Sequence, residues 1–160
     1  MNDAASPILI GYDGSEAARR AVEKAAGLFG SRRALVVTVW EPSLEYGVPG
    51  MLTSMDMAAG PPVDPAAAQE VDDALQARAR GVAQQGAELA GSAGLQAEAR
   101  AVPDEANVAE TIVELARSEH AAAIVVGSRG LTGLRARLEG STSNAVLKHS
   151  PCPVVVVHDD

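Results

Sequence analysis

Hydrophobic positions along this chain follow two different periods, and the two kinds of segment alternate. Unbroken apolar runs, which are typical of strands buried on both faces, cover residues 8–12, 34–40, 122–127 and 153–157. Residues 95–102 instead alternate apolar and polar positions, which predicts a strand with one exposed face near a sheet edge. We therefore expect five strands.

Between the strands, apolar residues recur at spacings of three and four, which predicts four amphipathic helices. Their start signals lie in the turn at 13–16, at Asp64-Pro65, at Asn107 and at Ser141. The inward faces are expected to carry Ala18, Ala21, Val22, Ala25, Leu28 and Phe29 in the first helix, and Val71, Leu75, Ala79, Val82 and Leu89 in the second. Gly81 and Gly86 are expected to weaken the second helix.

The resulting order, β-α-β-α-β-α-β-α-β, predicts an α/β fold with helices on both faces of a parallel sheet. We expect one domain over residues 1–160, built as a doubly wound, Rossmann-like, five-stranded sheet. In such sheets ligands bind outside the carboxyl ends of the strands, where the strand order reverses. If the first and fourth strands are neighbours, that point lies between them, and Asp13 and the glycine-rich segment at 127–141 face one crevice.

One segment, residues 41–64, has neither period and is rich in proline, glycine and methionine. Connections of this length are uncommon inside a compact domain and are usually functional or disordered. We interpret 41–64 as a long flexible loop, with a lid beside the ligand and plain disorder as equal alternatives.

The strongest chemical signal follows the fourth strand. Gly127 ends that strand, Gly130 follows after two residues, and nine further residues lead to Gly140-Ser141 at a helix start. Free N–H groups and the helix dipole favour anions at such a start, and glycine lets a ligand approach the backbone. We therefore expect a phosphate-binding loop that includes Gly127, Gly130, Gly140, Ser141 and Thr142, the alternative being a turn that only needs small residues.

Asp13 follows the first strand and precedes Gly-Ser-Glu. A carboxylate there can cap the helix that follows, or contact a ligand in the crevice, or do both. The usual nucleotide motifs are absent from the sequence. A Walker loop would need Lys before Ser141, and the Rossmann fingerprint does not follow the first strand.

Charge and composition narrow the function classes. The net charge is −8, and the basic residues are scattered, so a nucleic-acid-binding surface is not expected. No apolar run approaches the roughly 20 residues of a membrane span, so no membrane partner is expected. Cys152 is the only cysteine, which agrees with a cytoplasmic location. Neither a catalytic residue set nor a metal-ligand set is evident.

From residues 8–16 to 150–157 the chain resembles the ATP-binding subgroup of the universal stress proteins. The family signature, Gly-x2-Gly-x9-Gly followed by Ser or Thr, is matched by Gly127, Gly130, Gly140 and Ser141. The resemblance implies an adenine nucleotide alpha hydrolase-like fold with strand order 3-2-1-4-5. It also implies ATP, or AMP or cyclic AMP, held on this loop with Mg²⁺ or Mn²⁺.

The same resemblance implies further contacts. Asp13 would contact the nucleoside, and the backbone of Val39 would contact adenine. Gly11 stands where many relatives have proline, which concerns how the end of the first strand packs against the ligand. Similar proteins form homodimers through the last strand, and Val154–Val157 is an unprotected run of valines.

We therefore expect a nucleotide-dependent stress or signalling module with at most slow ATP hydrolysis, because no base and positioned nucleophile are evident. One alternative is a nucleotide-free dimeric scaffold of the same family, which the intact glycine signature opposes. The other is an adenylating enzyme. The Ser-Gly-Gly-x-Asp-Ser loop of such enzymes does not occur after the first strand.

Overall fold

A computed structural model describes residues 6–42, 64–128 and 141–158. The strands are β1 (Ile8–Gly11), β2 (Arg33–Trp40), β3 (Gln96–Pro103), β4 (Ala123–Gly127) and β5 (Val154–Val157). The helices are α1 (Glu16–Phe29), α2 (Pro65–Ser92), α3 (Val108–Ser118) and α4 (Ser141–His149). Most of the predicted 41–64 loop lies outside the described residues, so its interpretation as a lid or as disorder stays a prediction.

The strands form one parallel sheet in the order β3-β2-β1-β4-β5, which confirms the predicted topology. β1 lies at the centre, since Ile8 is in register with Ala34 of β2 and with Ala123 of β4. The chain therefore reverses its winding direction between β1 and β4, as expected for a doubly wound sheet.

Two aliphatic cores lie on the two faces of the sheet. Ile8 and Ile10 contribute to the core under α1 and α2, whereas Leu9 contributes to the core under α3 and α4. Both faces of β1 are fully buried. This explains why the sequence shows a continuous apolar run there, because a strand covered on both sides has no polar face.

The buried face of α2 matches the predicted one in part, since Ala79 is buried and Val82 and Leu89 pack against the core. Val71, which was expected inward, is 49% exposed. The buried positions are mostly small: Ala68, Asp72, Ala79, Ala83, Gly86, Ala87 and Ala90. Small residues make up most of this buried face because α2 approaches the sheet closely, and small side chains permit that approach. The positions of the large aliphatic residues therefore identified the buried face only in part. Leu28 of α1, also expected inward, is 62% exposed.

Gly86 is the clearest case of this close approach. A Cβ added there would lie 2.6 Å from Cδ1 of Tyr12 and 2.7 Å from Cγ1 of Val36. The sequence-based expectation that Gly86 weakens the helix is therefore incomplete. The residue is also required for α2 to pack against β2 and the segment that follows β1.

The two edges of the sheet are chemically unlike. On β3, Glu98 forms ion pairs with Arg100 at 2.9 Å and with Arg33 of β2 at 3.4 Å. On β5, the strand is made of four valines, three of them half-buried. Charged side chains discourage pairing with another chain, so the β3 edge is protected in a way that the β5 edge is not. Among the described residues, no helix is long and apolar enough to cross a membrane.

Candidate functional site

The sheet brings together the carboxyl ends of three adjacent strands, β2, β1 and β4. Gly11 ends β1 and Gly127 ends β4, while Val39 lies one residue before the end of β2. Because β1 pairs with both neighbours, these predicted site residues lie side by side where the strands have their carboxyl ends. The crevice outside this edge is where ligands bind in open α/β sheets.

Buried hydrogen bonds fix the path of the chain as it leaves β1. The amide of Tyr12 donates to the carbonyl of Val37 at 2.8 Å, which extends the ladder one residue beyond the strand. The hydroxyl of Thr38 then donates to the carbonyl of Tyr12 at 2.7 Å, and this bond is buried. The position of the next residue, Asp13, is therefore set by two contacts with β2.

Asp13 itself is exposed and does not cap α1. The N-cap is Ser15, whose Oγ accepts from the amide of Ala18 at 3.1 Å. Asp13 Oδ1 accepts from the amide of Ser15 at 2.9 Å and so closes the turn before the helix. Gly14 within that turn has φ +82°, a conformation that favours glycine. The capping alternative for Asp13 was wrong because a hydroxyl nearer the helix takes that role.

On the β4 side, Gly127 is buried where the strand end meets the start of α1. A Cβ at Gly127 would lie 2.9 Å from the backbone oxygen of Ala17, so only glycine fits without a shift. The next amide, that of Ser128, donates to the carbonyl of Val157 at 2.8 Å. Gly127 is thus held by packing on one side and by β5 on the other.

The start of α4 is tied to the end of β4. The buried hydroxyl of Ser143 donates to the carbonyl of Gly127 at 3.3 Å. Thr142 is half-buried beside it, and the helix begins at Ser141. Gly130 and Gly140, the other glycines of the predicted loop, lie outside the described residues.

Electrostatics at this junction favour an anion. The first amides of a helix have no intrahelical acceptor, and the helix dipole places about half a positive charge there. The opposite end of α4 carries Lys148 and His149 in its last turn. Among the described residues, no group of three or more His, Cys, Asp or Glu side chains could hold a metal ion.

A second concavity lies along α3. This groove has a volume of about 660 Å³ and is lined partly by Val102, Pro103 and His149. Its lining includes Glu105, Glu110 and Glu114, but none of the predicted nucleotide-binding residues. Arg117 in the same lining pairs with Glu114 at 2.6 Å, which leaves the carboxylates of Glu105 and Glu110 to repel a polyphosphate, so we assign the candidate anion site to the strand-end crevice.

Sequence reasoning missed several residues that shape this site. Thr38 carried a usable signal, because it is a polar residue inside an otherwise apolar strand and a buried hydroxyl needs a partner. Ser143, which follows Ser141 and Thr142 in a run of hydroxyl residues, was not expected to position the loop, whereas the structure gives it a contact with the strand end. Tyr12 gave no local signal, since its packing partner Gly86 lies far away in the sequence.

With the fold and this geometry established, comparison with known proteins identifies the class. The model of the universal stress protein family matches residues 5–158. A universal stress protein of Thermus aquaticus, encoded in the 3′ region of a QAH/OAS sulfhydrylase, is 34% identical over 152 residues, which cover 94% of this chain and 96% of that protein. The chain therefore belongs to the universal stress protein family.

Solved structures share the fold. A universal stress protein in complex with cAMP superposes with a TM-score of 0.63 at 24% identity, covering 99% of this chain and all of that one. A family member from Arabidopsis thaliana with AMP bound superposes with a TM-score of 0.61 at 15% identity, covering 97% and 92%. At these identities the likeness concerns the fold.

Proposed function

We propose that this protein binds an adenine nucleotide in the crevice at the carboxyl ends of β2, β1 and β4. The observation that carries the proposal is the junction of β4 and α4, where Ser143 ties the first turn of the helix to the carbonyl of Gly127. This bond holds the first turn of α4 against the end of β4, and the free amides of a helix start suit phosphate oxygens. The nucleotides bound by two structural neighbours support the choice of adenine.

In this proposal the site residues divide between the two halves of the ligand. Gly127, Gly130, Gly140, Ser141 and Thr142 take the phosphates, while Gly11, Asp13 and Val39 take the nucleoside. ATP is the ligand we favour, because the Gly-x2-Gly-x9-Gly-Ser spacing matches the signature of the ATP-binding subgroup that the chain resembles. Mg²⁺ or Mn²⁺ would be carried mainly by the phosphates, since Mg²⁺ usually binds through few protein ligands.

The nucleotide-binding proposal is tested by release and by affinity. Purified protein is denatured, and the supernatant is analysed for adenine nucleotide by chromatography. Calorimetric titration with ATP, AMP and cyclic AMP then ranks the ligands. Gly130→Val and Gly140→Val should abolish binding, whereas the control Gly27→Val, at an exposed position with no atom within 4 Å of its added Cβ, should not. Normal binding by both loop variants would remove the site assignment.

We further propose that nucleotide occupancy regulates contact with partners in a stress or signalling response, with ATP hydrolysis slow or absent. Asp13 places a carboxylate at the crevice, but its Oδ1 accepts from the Ser15 amide, and this side chain is assigned to the nucleoside and not to the phosphates. A fast hydrolase would need a base aimed at a water molecule. Phosphate release measured at saturating ATP should therefore remain far below the typical enzymatic turnover of about 10 per second.

The proposed assembly is a homodimer formed through β5. The support is the contrast between the two edges, since three of the four valines of β5 are half-buried and β3 carries the Glu98 ion pairs. Sedimentation at micromolar concentration should show a dimer. Val156→Lys should shift it to monomer, while Val71→Lys, at an exposed position of α2, should leave it dimeric. A monomeric wild-type protein would contradict the proposal.

A further inference from the structure

The concavity along α3, with its volume of about 660 Å³, lies outside the proposed nucleotide site, and we call it the α3 groove. Its lining extends from Pro103, the last residue of β3, to Ser118, the last residue of α3. An 11-residue helix is roughly 16 Å long. The α3 groove therefore has the length of about five residues of extended chain.

Much of the lining of the α3 groove is apolar and comes from three elements. Val102 and Pro103 belong to β3, Ala109 and Val113 to α3, and Ala145 to α4. All five are buried or half-buried, so they belong to the packed body of the domain. Grooves of this volume with mostly apolar walls are typical of sites that bind another molecule.

The neutral polar side chains of the lining already have partners within the chain. Asn107 Oδ1 accepts from a backbone amide of α3 at 3.0 Å, and Thr111 Oγ1 donates to the carboxylate of Asp104 at 3.2 Å. Ser118 Oγ donates to a backbone carbonyl of α3 at 3.0 Å. These groups are therefore not available to recognise a polar, uncharged ligand.

The charged side chains of the lining leave two carboxylates unpaired. Arg117 pairs with Glu114 at 2.6 Å. Glu105 and Glu110 are exposed, and neither carboxylate has an ion pair or a hydrogen bond within the part of the chain that the structure describes. Both lie at the beginning of α3, since Glu105 precedes the helix and Glu110 is in its first turn.

The two ends of the α3 groove therefore differ in charge. Both α3 and α4 run from the carboxyl ends of the strands back to their amino ends, as crossover helices of a parallel sheet do. His149, in the last turn of α4, thus borders the end of the groove that is opposite to Glu105. One end is negative, and the remainder is apolar and charge-balanced.

We propose that the α3 groove docks an extended segment of a partner protein that carries Arg or Lys at one end and aliphatic side chains along the rest. The basic end lies on Glu105 and Glu110, and the aliphatic part lies along Val113 and Ala145. This arrangement matches charge to charge and apolar surface to apolar surface. The inference goes beyond nucleotide binding and does not depend on it, because the lining contains none of the proposed nucleotide-binding residues.

The first experiment measures whether such segments bind. The probe is a library of fluorescein-labelled six-residue peptides with two arginines at one end and varied aliphatic residues elsewhere. Fluorescence polarisation is recorded with the full chain, free of nucleotide, at 0.15 M salt, where charges more than about 8 Å apart are largely screened. The best peptides should bind with a Kd below about 1 mM, and their analogues with glutamate in place of arginine should not bind. Failure of every peptide to reach that affinity would overturn the proposal.

The second experiment locates the binding with a matched pair of variants. Glu105→Gln combined with Glu110→Gln removes both free carboxylates and should weaken peptide binding by about two- to thirtyfold. The control, Glu23→Gln combined with Glu70→Gln, removes the same charge from exposed positions of α1 and α2 on the other face of the sheet, and should leave the affinity unchanged.

Equal affinity of the groove variant and the wild type would overturn the proposal, and so would an equal loss in both variants. Thermal unfolding of the same proteins tests the structural alternative, because a carboxylate in the first turn also stabilises a helix through its dipole. A groove variant that unfolds at lower temperature but binds the peptides normally would show that the carboxylates serve only α3, and this too would overturn the proposal. Absence of nucleotide binding would refute the proposed function and leave this inference standing.

Discussion

Two glycines of α2, Gly86 and Gly81, allow the packing argument to be tested with its own control. Gly86→Ala places a methyl group 2.6 Å from the ring of Tyr12 and 2.7 Å from Val36, two side chains held by the sheet. Gly81→Ala, in the same helix, places its methyl group where no atom lies within 4 Å. Both substitutions gain the same helix propensity, about 0.8–1 kcal/mol.

Because the propensity gain is common to both variants, the difference between them isolates the steric term. Overpacking of a close-packed core costs about 1–3 kcal/mol. For a domain of 160 residues, each 1 kcal/mol shifts Tm by about 2–4 °C. We therefore expect Gly81→Ala to be more stable than the wild type, and Gly86→Ala to unfold about 2–12 °C below Gly81→Ala.

The assay is urea unfolding and thermal unfolding of the wild type and both variants, followed by circular dichroism. Equal stability of the two variants would refute the close approach of α2 to β2 and to the segment after β1. Nucleotide affinity gives a second readout. Displacement of Tyr12 moves the neighbouring Asp13, so Gly86→Ala should bind the proposed ligand more weakly than Gly81→Ala does.

Three further predictions concern single contacts, each measured by urea unfolding against the wild type. Thr38→Val leaves the buried carbonyl of Tyr12 without its 2.7 Å partner and should lower the free energy of unfolding by about 1–3 kcal/mol. An unchanged free energy of unfolding would mean that this bond does not stabilise the fold. Asn107→Ala removes the cap of α3, which accepts from the amide of Glu110 at 3.0 Å, and should cost about 0.5–2 kcal/mol, unlike a control at exposed Ser92. His120→Gly relieves a positive φ of 51° after the end of α3 and should stabilise by about 0.5–1 kcal/mol, so a destabilised variant would contradict the strain argument.

The sequence sufficed for the fold because strand and helix signals alternated without ambiguity. Runs such as the one that became β4 are continuous and β-branched, which is what a strand covered on both faces requires. The Asp64-Pro65 pair likewise predicted the start of α2, and Asp64 does accept from the amide of Ala66 at 3.0 Å. These features depend on residues close together in the chain, so local patterns contain them.

The site was only partly predictable because its geometry depends on distant residues. Gly127 and Asp13 were named from local motifs, but the bonds that position them come from Ser143 and, through Tyr12, from Thr38. Ser15 took the capping role because its hydroxyl is better placed than Asp13 to reach the amide of Ala18. The small face of α2 could not be inferred from hydrophobicity, since alanine and glycine carry little apolar signal even where packing is tightest.

The unequal edges of the sheet set a limit on how large an assembly can grow. If β5 pairs with the β5 of a second copy around a two-fold axis, the two strands satisfy each other and no valine edge remains. The outermost strands of the resulting ten-stranded sheet would then be two copies of β3, each with Glu98 held between Arg33 and Arg100. Growth would then stop at two subunits, and the aliphatic edge strand would not lead to fibres.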